Sequence, residues 1–136
     1  MYSVGNLIKA RLEALTPLAG WSVRLGTDDG ARTAVPMVDV RLAGLSALPS
    51  RNTAVSVQPG WQITLGVRRS ATAAEQLDAV FAAVIASLHN WAPGQSAGRG
   101  WERLQLSGAV DAVFADEGLC GVTLTFTTSA LYEGQD

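Results

Sequence analysis

Two stretches of the chain repeat their apolar residues at helical spacing. In the longer stretch, from Thr72 to Trp91, six large residues fall on one side of a helix: Leu77, Val80, Phe81, Val84, Ile85 and Leu88. Thr72 and Glu75 have the spacing of a capping box at its start, and Pro93 predicts an end soon after Asn90. A shorter helix is predicted from Ser3 to Leu15, with a stripe of Val4, Leu7, Ile8, Leu12 and Leu15. Both stripes require an apolar sheet to pack on.

Three segments alternate apolar and polar residues, as strands do. They are 21–25, 35–42 and 61–68, and each has one apolar face and one polar face. This pattern is typical of an antiparallel sheet covered on one side only. Pro36 lacks an N–H and is therefore expected at the beginning or edge of its strand. Asp39 and Arg41 share the polar face, where a weak surface ion pair is expected.

The C-terminal third also predicts strands. Residues 92–100 are rich in Gly, Pro and Ser and predict a loop, and 101–108 predicts a further strand. A hairpin is expected from 110–115 and 119–131, turned by 116–118, with the tail 133–136 frayed. In its last strand, alternation directs Cys120, Val122, Leu124 and Phe126 inward and Thr123, Thr125 and Thr127 outward.

The segment from Ala43 to Gly60 is the least regular part of the chain. Gly44, Pro49 and Pro59 interrupt it, although 52–58 alternates as a strand would, with Thr53, Val55 and Val57 on one side. We interpret this segment as a projecting loop or hairpin arm. The predicted fold is a single α+β domain over residues 1–136. It has an antiparallel sheet of four or five strands, two helices packed on one face, and a long loop projecting between strands.

Composition narrows the classes of function. Charged residues make up 16% of the chain, the net charge is −2, and the basic residues are nine scattered arginines and Lys9. Bulk charge therefore does not indicate nucleic-acid binding, and the sparse charge weakly favours a surface covered by partners. No apolar run approaches the ~18 residues of a membrane span, and the N-terminus lacks a secretion-signal pattern. We expect a protein that is cytoplasmic where it is made.

Candidate chemistry is sparse. The lone Cys120 excludes an intramolecular disulfide and a cysteine-based zinc site, and the only histidine, His89, is expected on the last turn of the long helix. Asp28 and Asp29 lie in a predicted turn, 26–30, that lacks the remaining ligands of a calcium loop. No G-x-S-x-G motif is present. The prediction is no catalytic residue, no metal and no cofactor.

Tryptophan is abundant, with four residues in 136. Trp21 and Trp61 are in phase with the apolar faces of strands and are expected in the core. Trp91 and Trp101 flank the Gly-rich loop, where they would either cap the core or anchor a protein partner.

The order of these elements resembles that of a known family. The features that carry the resemblance are the amphipathic N-terminal helix, the strand Val35-Pro36-Met37-Val38-Asp39-Val40-Arg41-Leu42-Ala43-Gly44, and the strand Gly60-Trp61-Gln62-Ile63-Thr64-Leu65-Gly66-Val67. They continue with the helix opening Ala74-Glu75-Gln76-Leu77-Asp78-Ala79, the turn Asp116-Glu117-Gly118, and the closing strand Leu124-Thr125-Phe126-Thr127. In order and spacing the chain resembles the tail-terminator proteins of long-tailed phages, the U-protein type of lambdoid phages.

The resemblance implies a structural protein of the virion, located at the head-proximal end of the tail. It implies a homo-hexameric ring that stops polymerisation of the tail-tube protein and presents a surface to the head-completion or connector protein, with DNA only passing through the channel. Under this hypothesis the contacts between subunits or with partners fall on the arm and the outer sheet face: Leu45, Arg51, Val55, Val57, Trp91, Trp101, Thr123, Thr125 and Thr127. Arg51, Arg68 and Arg69 are candidates for lining the channel, with solvated surface as the alternative.

Two other classes remain open. One is a different phage neck or tail-completion protein with the same architecture, because fold does not fix function. The other is a small-molecule-binding regulatory domain or enzyme of ferredoxin-like fold, for which a deep apolar pocket with convergent polar groups is expected.

Overall fold

The computed structural model describes residues 1–28, 34–96 and 98–135, with the backbone alone at 95 and 96. Helix α1 spans Tyr2–Glu13 and is followed by a 3-10 turn at Thr16–Leu18, and helix α2 spans Ala73–Leu88. The strands are β1 (Ser22–Leu25), β2 (Met37–Pro49), β3 (Ala54–Arg68), β4 (Gly94–Ser96), β5 (Arg99–Trp101), β6 (Gln105–Asp111), β7 (Leu119–Thr127) and β8 (Ala130–Glu133).

Both predicted helical stripes face the core. Val4, Ile8 and Leu12 of α1 and Val80, Val84 and Leu88 of α2 are buried, and the other stripe residues are half-buried. The predicted capping box at the start of α2 is wrong, because Thr72 makes no side-chain capping bond. Its hydroxyl and backbone N–H instead lie 3.3 Å from the Ser70 hydroxyl, which stabilises the preceding turn.

The main sheet has the order β1-β2-β3-β7-β6, and β8 pairs with the N-terminal end of β3. The helices cover the face formed by alternate residues of the central strands, all of them inaccessible to solvent or nearly so: Val38, Val40, Trp61, Ile63, Leu65, Leu124 and Phe126. This confirms the α+β class and the inward phase predicted for the strands. The sheet has more strands than expected.

One strand pair runs in the direction opposite to the prediction. β1 pairs parallel with β2, with Ser22 beside Met37 and Leu25 beside Val40, whereas the other pairs of the sheet are antiparallel. The alternating pattern fixes which residues face the helices but not the direction of the neighbouring strand. Of the turn predicted at 26–30, only 26–28 lies within the described residues, and there the Leu25 N–H donates to the Asp28 carboxylate at 2.7 Å.

The outer face of the sheet is partly covered, contrary to the expectation of a sheet covered on one side only. The loop between β6 and β7 folds back over it, so that the Phe114 ring and the Met37 sulfur crowd Gly66, and Met37 is buried. Asp39 is only 8% exposed while its carboxylate accepts from Arg41 at 2.7 Å. The predicted ion pair therefore forms at a buried carboxylate rather than in open solvent.

Two segments predicted to be irregular are ordered. β4 and β5 form a two-stranded sheet that occupies part of the predicted loop 92–100 and ends at Trp101. At the C-terminus, Glu133 belongs to β8 and the Gly134 N–H donates to the Thr53 carbonyl at 2.9 Å, so the tail is not frayed there. Asp136 lies outside the described residues.

Candidate interaction surface: the projecting arm

β2 and β3 continue beyond the helix-covered part of the sheet as a long hairpin. We call the arm the segment from Gly44 to Gly60 together with β8, which pairs with its base. A register shift between Leu42 and Gly44 marks where the arm begins. The prediction of a hairpin arm is confirmed, but the segment is strand rather than loop over most of its length.

The tip of the arm is a short, well-defined turn. The Ser50 N–H donates to the Ala54 carbonyl at 2.9 Å, and the Ala54 N–H donates to the Arg51 carbonyl at 3.0 Å. Asn52 between them has a φ of 52°, a left-handed conformation that asparagine tolerates better than most residues. The Thr53 hydroxyl lies 3.3 Å from the Glu133 carboxylate, which ties the tip to β8.

The prolines of the arm fit its hydrogen-bond pattern. Residues of an antiparallel pair alternate between positions that exchange hydrogen bonds and positions that do not. Counting from the bonded pair Ser50–Ala54, Pro49 opposite Val55 and Pro59 opposite Leu45 fall at non-bonded positions. Neither proline therefore removes a hydrogen bond from the hairpin.

Large apolar side chains are exposed on both faces of the arm. Leu48 and Leu131 flank Ser56 on the face continuous with the outer sheet face, and they are 55% and 57% exposed. Leu45, on the opposite face, is 49% exposed. These exposed leucines make the projecting hairpin the candidate contact surface of the chain.

The base of the arm packs against the small β4–β5 sheet. The Tyr132 ring of β8 contacts Trp101 edge to face, with 6.4 Å between ring centroids, and the Arg99 guanidinium lies 3.6 Å from the Tyr132 centroid. Trp101 is 4% exposed. Of the two roles predicted for Trp101, its position is that of a core cap.

The predicted contact residues on the arm do not form one patch. Arg51 is exposed at the tip, whereas Val55 and Val57 are half-buried on the same face as Leu45. Trp91 lies outside the arm and is half-buried, and the Arg11 guanidinium lies 4.6 Å from its ring centroid.

The three arginines proposed for a channel lie at opposite ends of β3. Arg68 is the last residue of β3 and Arg69 follows it, whereas Arg51 precedes the N-terminal end of the strand. A strand of this length spans about 50 Å, so one protomer does not bring them together. The Arg69 guanidinium donates to the Glu117 carbonyl at 2.8 Å and holds the β6–β7 loop.

The threonine row forms part of the outer sheet face, as predicted. Thr123, Thr125 and Thr127 are half-buried, and the hydroxyls of Thr123 and Thr64 are 3.0 Å apart across the neighbouring strands. A polar depression lies beside the row where the arm meets the sheet. It is lined by Ser46, Gln58, Glu102, Arg103, Gln105, Thr127, Thr128 and Ser129.

Three further features of the described residues concern metal-ligand clusters, the role of the histidine and membrane-spanning helices. Within residues 1–28, 34–96 and 98–135, no group of three or more His, Cys, Asp or Glu side chains is placed to hold a metal ion. His89 caps the C-terminus of α2 rather than lying within its last turn, and its Nδ1 accepts from the Leu106 N–H at 3.1 Å. No helix in the described part of the chain is long and apolar enough to cross a membrane.

Sequence reasoning missed Leu48, Leu131 and Val110, which are exposed apolar residues on strand edges or on the arm. The available signal was alternation: Leu48 is out of phase with Leu45, so that the two leucines must lie on opposite faces of one strand. Gly44, Pro49 and Pro59 interrupt this segment and suggested a loop, so the alternation of the two leucines was not interpreted as a strand.

No family model and no curated protein matches the chain. Among solved structures, the chain is similar to a component of the virion of a native gene transfer agent particle, with a TM-score of 0.68 and 17% identity over 98% of this chain and 100% of that one. A second solved protein is similar with a TM-score of 0.65 and 13% identity over 98% of this chain and 94% of its own. These likenesses show a shared fold over nearly the full length of each chain.

Proposed function

We propose that this chain is a structural, non-catalytic protein of a phage-like virion. The observation that carries the proposal is the full-length likeness in fold to a component of a gene transfer agent particle, which is a phage-like particle. The two chains cover each other almost completely, so the likeness is to a whole subunit rather than to a shared module.

Within the virion, the function we propose is that of the tail terminator. The support comes from the order of sequence motifs and from the arm, which extends two strands of the sheet away from the core and exposes leucines on both faces. In this role the chain forms a homo-hexameric ring at the head-proximal end of the tail. It ends polymerisation of the tail-tube protein, meets the head-completion or connector protein, and leaves DNA to pass through the central channel without sequence-specific contacts.

A closed ring requires two different, complementary faces on every subunit. The arm and the far edge of the sheet lie on different sides of the molecule, which fits this requirement. A different phage neck or tail-completion protein of the same architecture is the alternative, because fold does not fix function. We favour the terminator because the motif order extends over nearly the whole chain.

The proposal is tested by the native mass of the purified protein over a concentration series, followed by electron microscopy of the particles. The expected result is six copies in a ring with an open centre, and arrest of tube growth when the ring is added to polymerising tail-tube protein. Rings that leave tube growth unchanged would favour another neck or completion protein. A monomer that neither assembles nor affects tube growth would contradict the proposal.

A further inference from the structure

Two edges of the main sheet are open and lie on opposite sides of the molecule. β1 pairs only with Met37–Val40, so among the described strands nothing pairs with the outer edge of β2 from Gly44 to Pro49. At the other side of the sheet, β6 is the last strand. Gly44 to Leu48 contain no charged residue and no proline, and β6 contains no charged residue before Asp111, its last residue. Edge strands are usually protected by charges, prolines or covering elements, and here only Pro49 and Asp111, at the ends of the two stretches, are of that kind. Both edges are therefore open to pairing with another strand.

The hydrogen-bond pattern identifies which groups of β2 point outward. The Ser50 N–H donates to the Ala54 carbonyl, and bonded positions alternate along an antiparallel pair. Leu48 and Ser46 therefore bond to β3. Leu45 and Ala47 direct their backbone N–H and C=O groups to the open edge.

The same reasoning applies to β6. The Ala112 N–H donates to the Gly121 carbonyl at 3.0 Å, so Val110 and Gly108 bond to β7, and Ala109 and Asp111 direct their backbone groups outward. Nearer the start of β6, the outward N–H of Leu106 already has a partner in His89 Nδ1. The open part of this edge is thus centred on Ala109 and Asp111.

On each edge, two residues direct their backbone N–H and C=O groups outward, with one residue between them. The two edges therefore have the same spacing of free hydrogen-bonding groups. We propose that β2 of one copy of this chain pairs antiparallel with β6 of the next, with Leu45 opposite Asp111 and Ala47 opposite Ala109. The inference rests on the proposed ring and names its subunit contact.

β2 and β7 run in one direction and β3 and β6 in the other, so a next copy with the same strand direction makes this new pair antiparallel. Leu45 lies opposite Pro59 and Asp111 lies level with Leu65, six residues further along β3, so this register offsets neighbouring copies by about 20 Å along the strands. A closed ring with this contact therefore has its strands tilted to the ring axis, as in a barrel.

The side chains support this register. It places Ser46 opposite Val110 and Leu48 opposite Gly108 on the outer face. Nothing lies within 4 Å of a Cβ built on Gly108, and Leu48 is 55% exposed, so the leucine has room to cover the glycine. Val110, which is 68% exposed, then becomes a diagonal neighbour of Leu48. The contact therefore buries apolar surface that one copy alone leaves in water.

The test is a disulfide between the paired strands. Ser46→Cys and Val110→Cys are combined in one full-length chain that also carries Cys120→Ala, and the protein is oxidised and analysed without reductant. Within one chain the two cysteines are separated by three strand spacings, about 14 Å or more, which exceeds the roughly 7 Å limit between Cα atoms of a disulfide. A bond can therefore form only between copies. The matched control combines Ala47→Cys with Val110→Cys, which lie on opposite faces in this register.

The expected result is a ladder of covalently linked chains from the first pair and almost none from the control. Rings that form without the cross-link would overturn the strand pairing and leave the proposed virion role standing. Equal cross-linking of both pairs would also overturn it, because contact would then be unspecific. A protein that stays monomeric and uncross-linked at its highest soluble concentration would overturn the pairing and a self-assembling ring together.

Discussion

The same two strands behave differently in two regions of this molecule. Where β2 and β3 lie beneath the helices, Val38, Val40, Ile63 and Leu65 are completely buried. In the arm, the same strands keep their pairing but expose Leu45 and Leu48. Burial in this sheet is therefore decided by what covers a strand rather than by the strand's own pattern. The covered region holds the fold together, and the uncovered region is available for contacts.

Substituting a glycine that packs against backbone should destabilise the protein far more than substituting a glycine that faces open space. A Cβ at Gly121 would lie on the Leu65 carbonyl oxygen, and neither backbone can move because both belong to the central sheet. We expect Gly121→Ala to cost about 3 kcal/mol or more in free energy of unfolding, measured by denaturant titration. Gly100→Ala is the control, since nothing lies within 4 Å of its Cβ position. Near-normal stability of Gly121→Ala would show that β3 and β7 do not approach as described.

The second prediction compares one leucine from each region. Leu65→Ala removes a fully buried side chain, and we expect the free energy of unfolding to fall by about 2–5 kcal/mol. Leu48→Ala should change the stability of the monomer by no more than about 0.5 kcal/mol, because the side chain is exposed. Both are measured at concentrations where the protein is monomeric. Equal losses would mean that the arm is packed against the rest of the chain.

How much of this contrast follows from sequence can be judged from particular residues. Alternation predicted the inward phase of Val38, Ile63 and Leu124, because the side-chain period of a strand is fixed by its geometry. It also placed Thr123, Thr125 and Thr127 on the outer face. Hydrophobic spacing likewise predicted both helices.

The rest depended on neighbours that local patterns do not reveal. The parallel direction of β1 and the return of β8 to the arm are long-range pairings. Phe114 covers Gly66 through a loop whose path has no periodic signal. Pro49 and Pro59 suggested a loop, yet both occupy strand positions that need no N–H toward the partner, which only the register shows. The residues of the candidate contact were harder still to predict. They depend on which strands lie at the edges of the sheet, and the strand order is not visible in local patterns.

The third prediction concerns assembly rather than folding. Leu48→Lys should leave the monomer folded and weaken self-association at least about tenfold, because burying a leucine contributes roughly 1.5–3 kcal/mol. Sedimentation over a concentration series measures this change. Leu131→Lys is a close control, since Leu131 is equally exposed on the same face but lies on β8, outside the proposed strand pair. If Leu131→Lys weakens assembly and Leu48→Lys does not, the contact lies on the other side of the arm.

The role of the arm in assembly is better tested by single substitutions than by deleting the arm. Deleting Leu45 to Val57 removes the strand positions that pair with β8 and the Thr53 carbonyl that accepts from Gly134. Loss of rings after such a deletion would therefore mix disordering of the C-terminus with loss of the contact. Single substitutions on the open edge separate the two effects.

The smallest expected effect concerns the closed part of the β6 edge. His89 Nδ1 accepts from the Leu106 N–H, which otherwise faces solvent on an edge strand. His89→Ala should lower the free energy of unfolding by about 1 kcal/mol or less, the usual contribution of one hydrogen bond. It should also speed hydrogen exchange at the Leu106 amide. The Ala112 amide, bonded to the Gly121 carbonyl within the sheet, is the internal control and should be unchanged. A Leu106 amide that exchanges at the same rate in both proteins would mean that His89 does not close this edge, and that the open stretch of β6 extends toward the start of the strand.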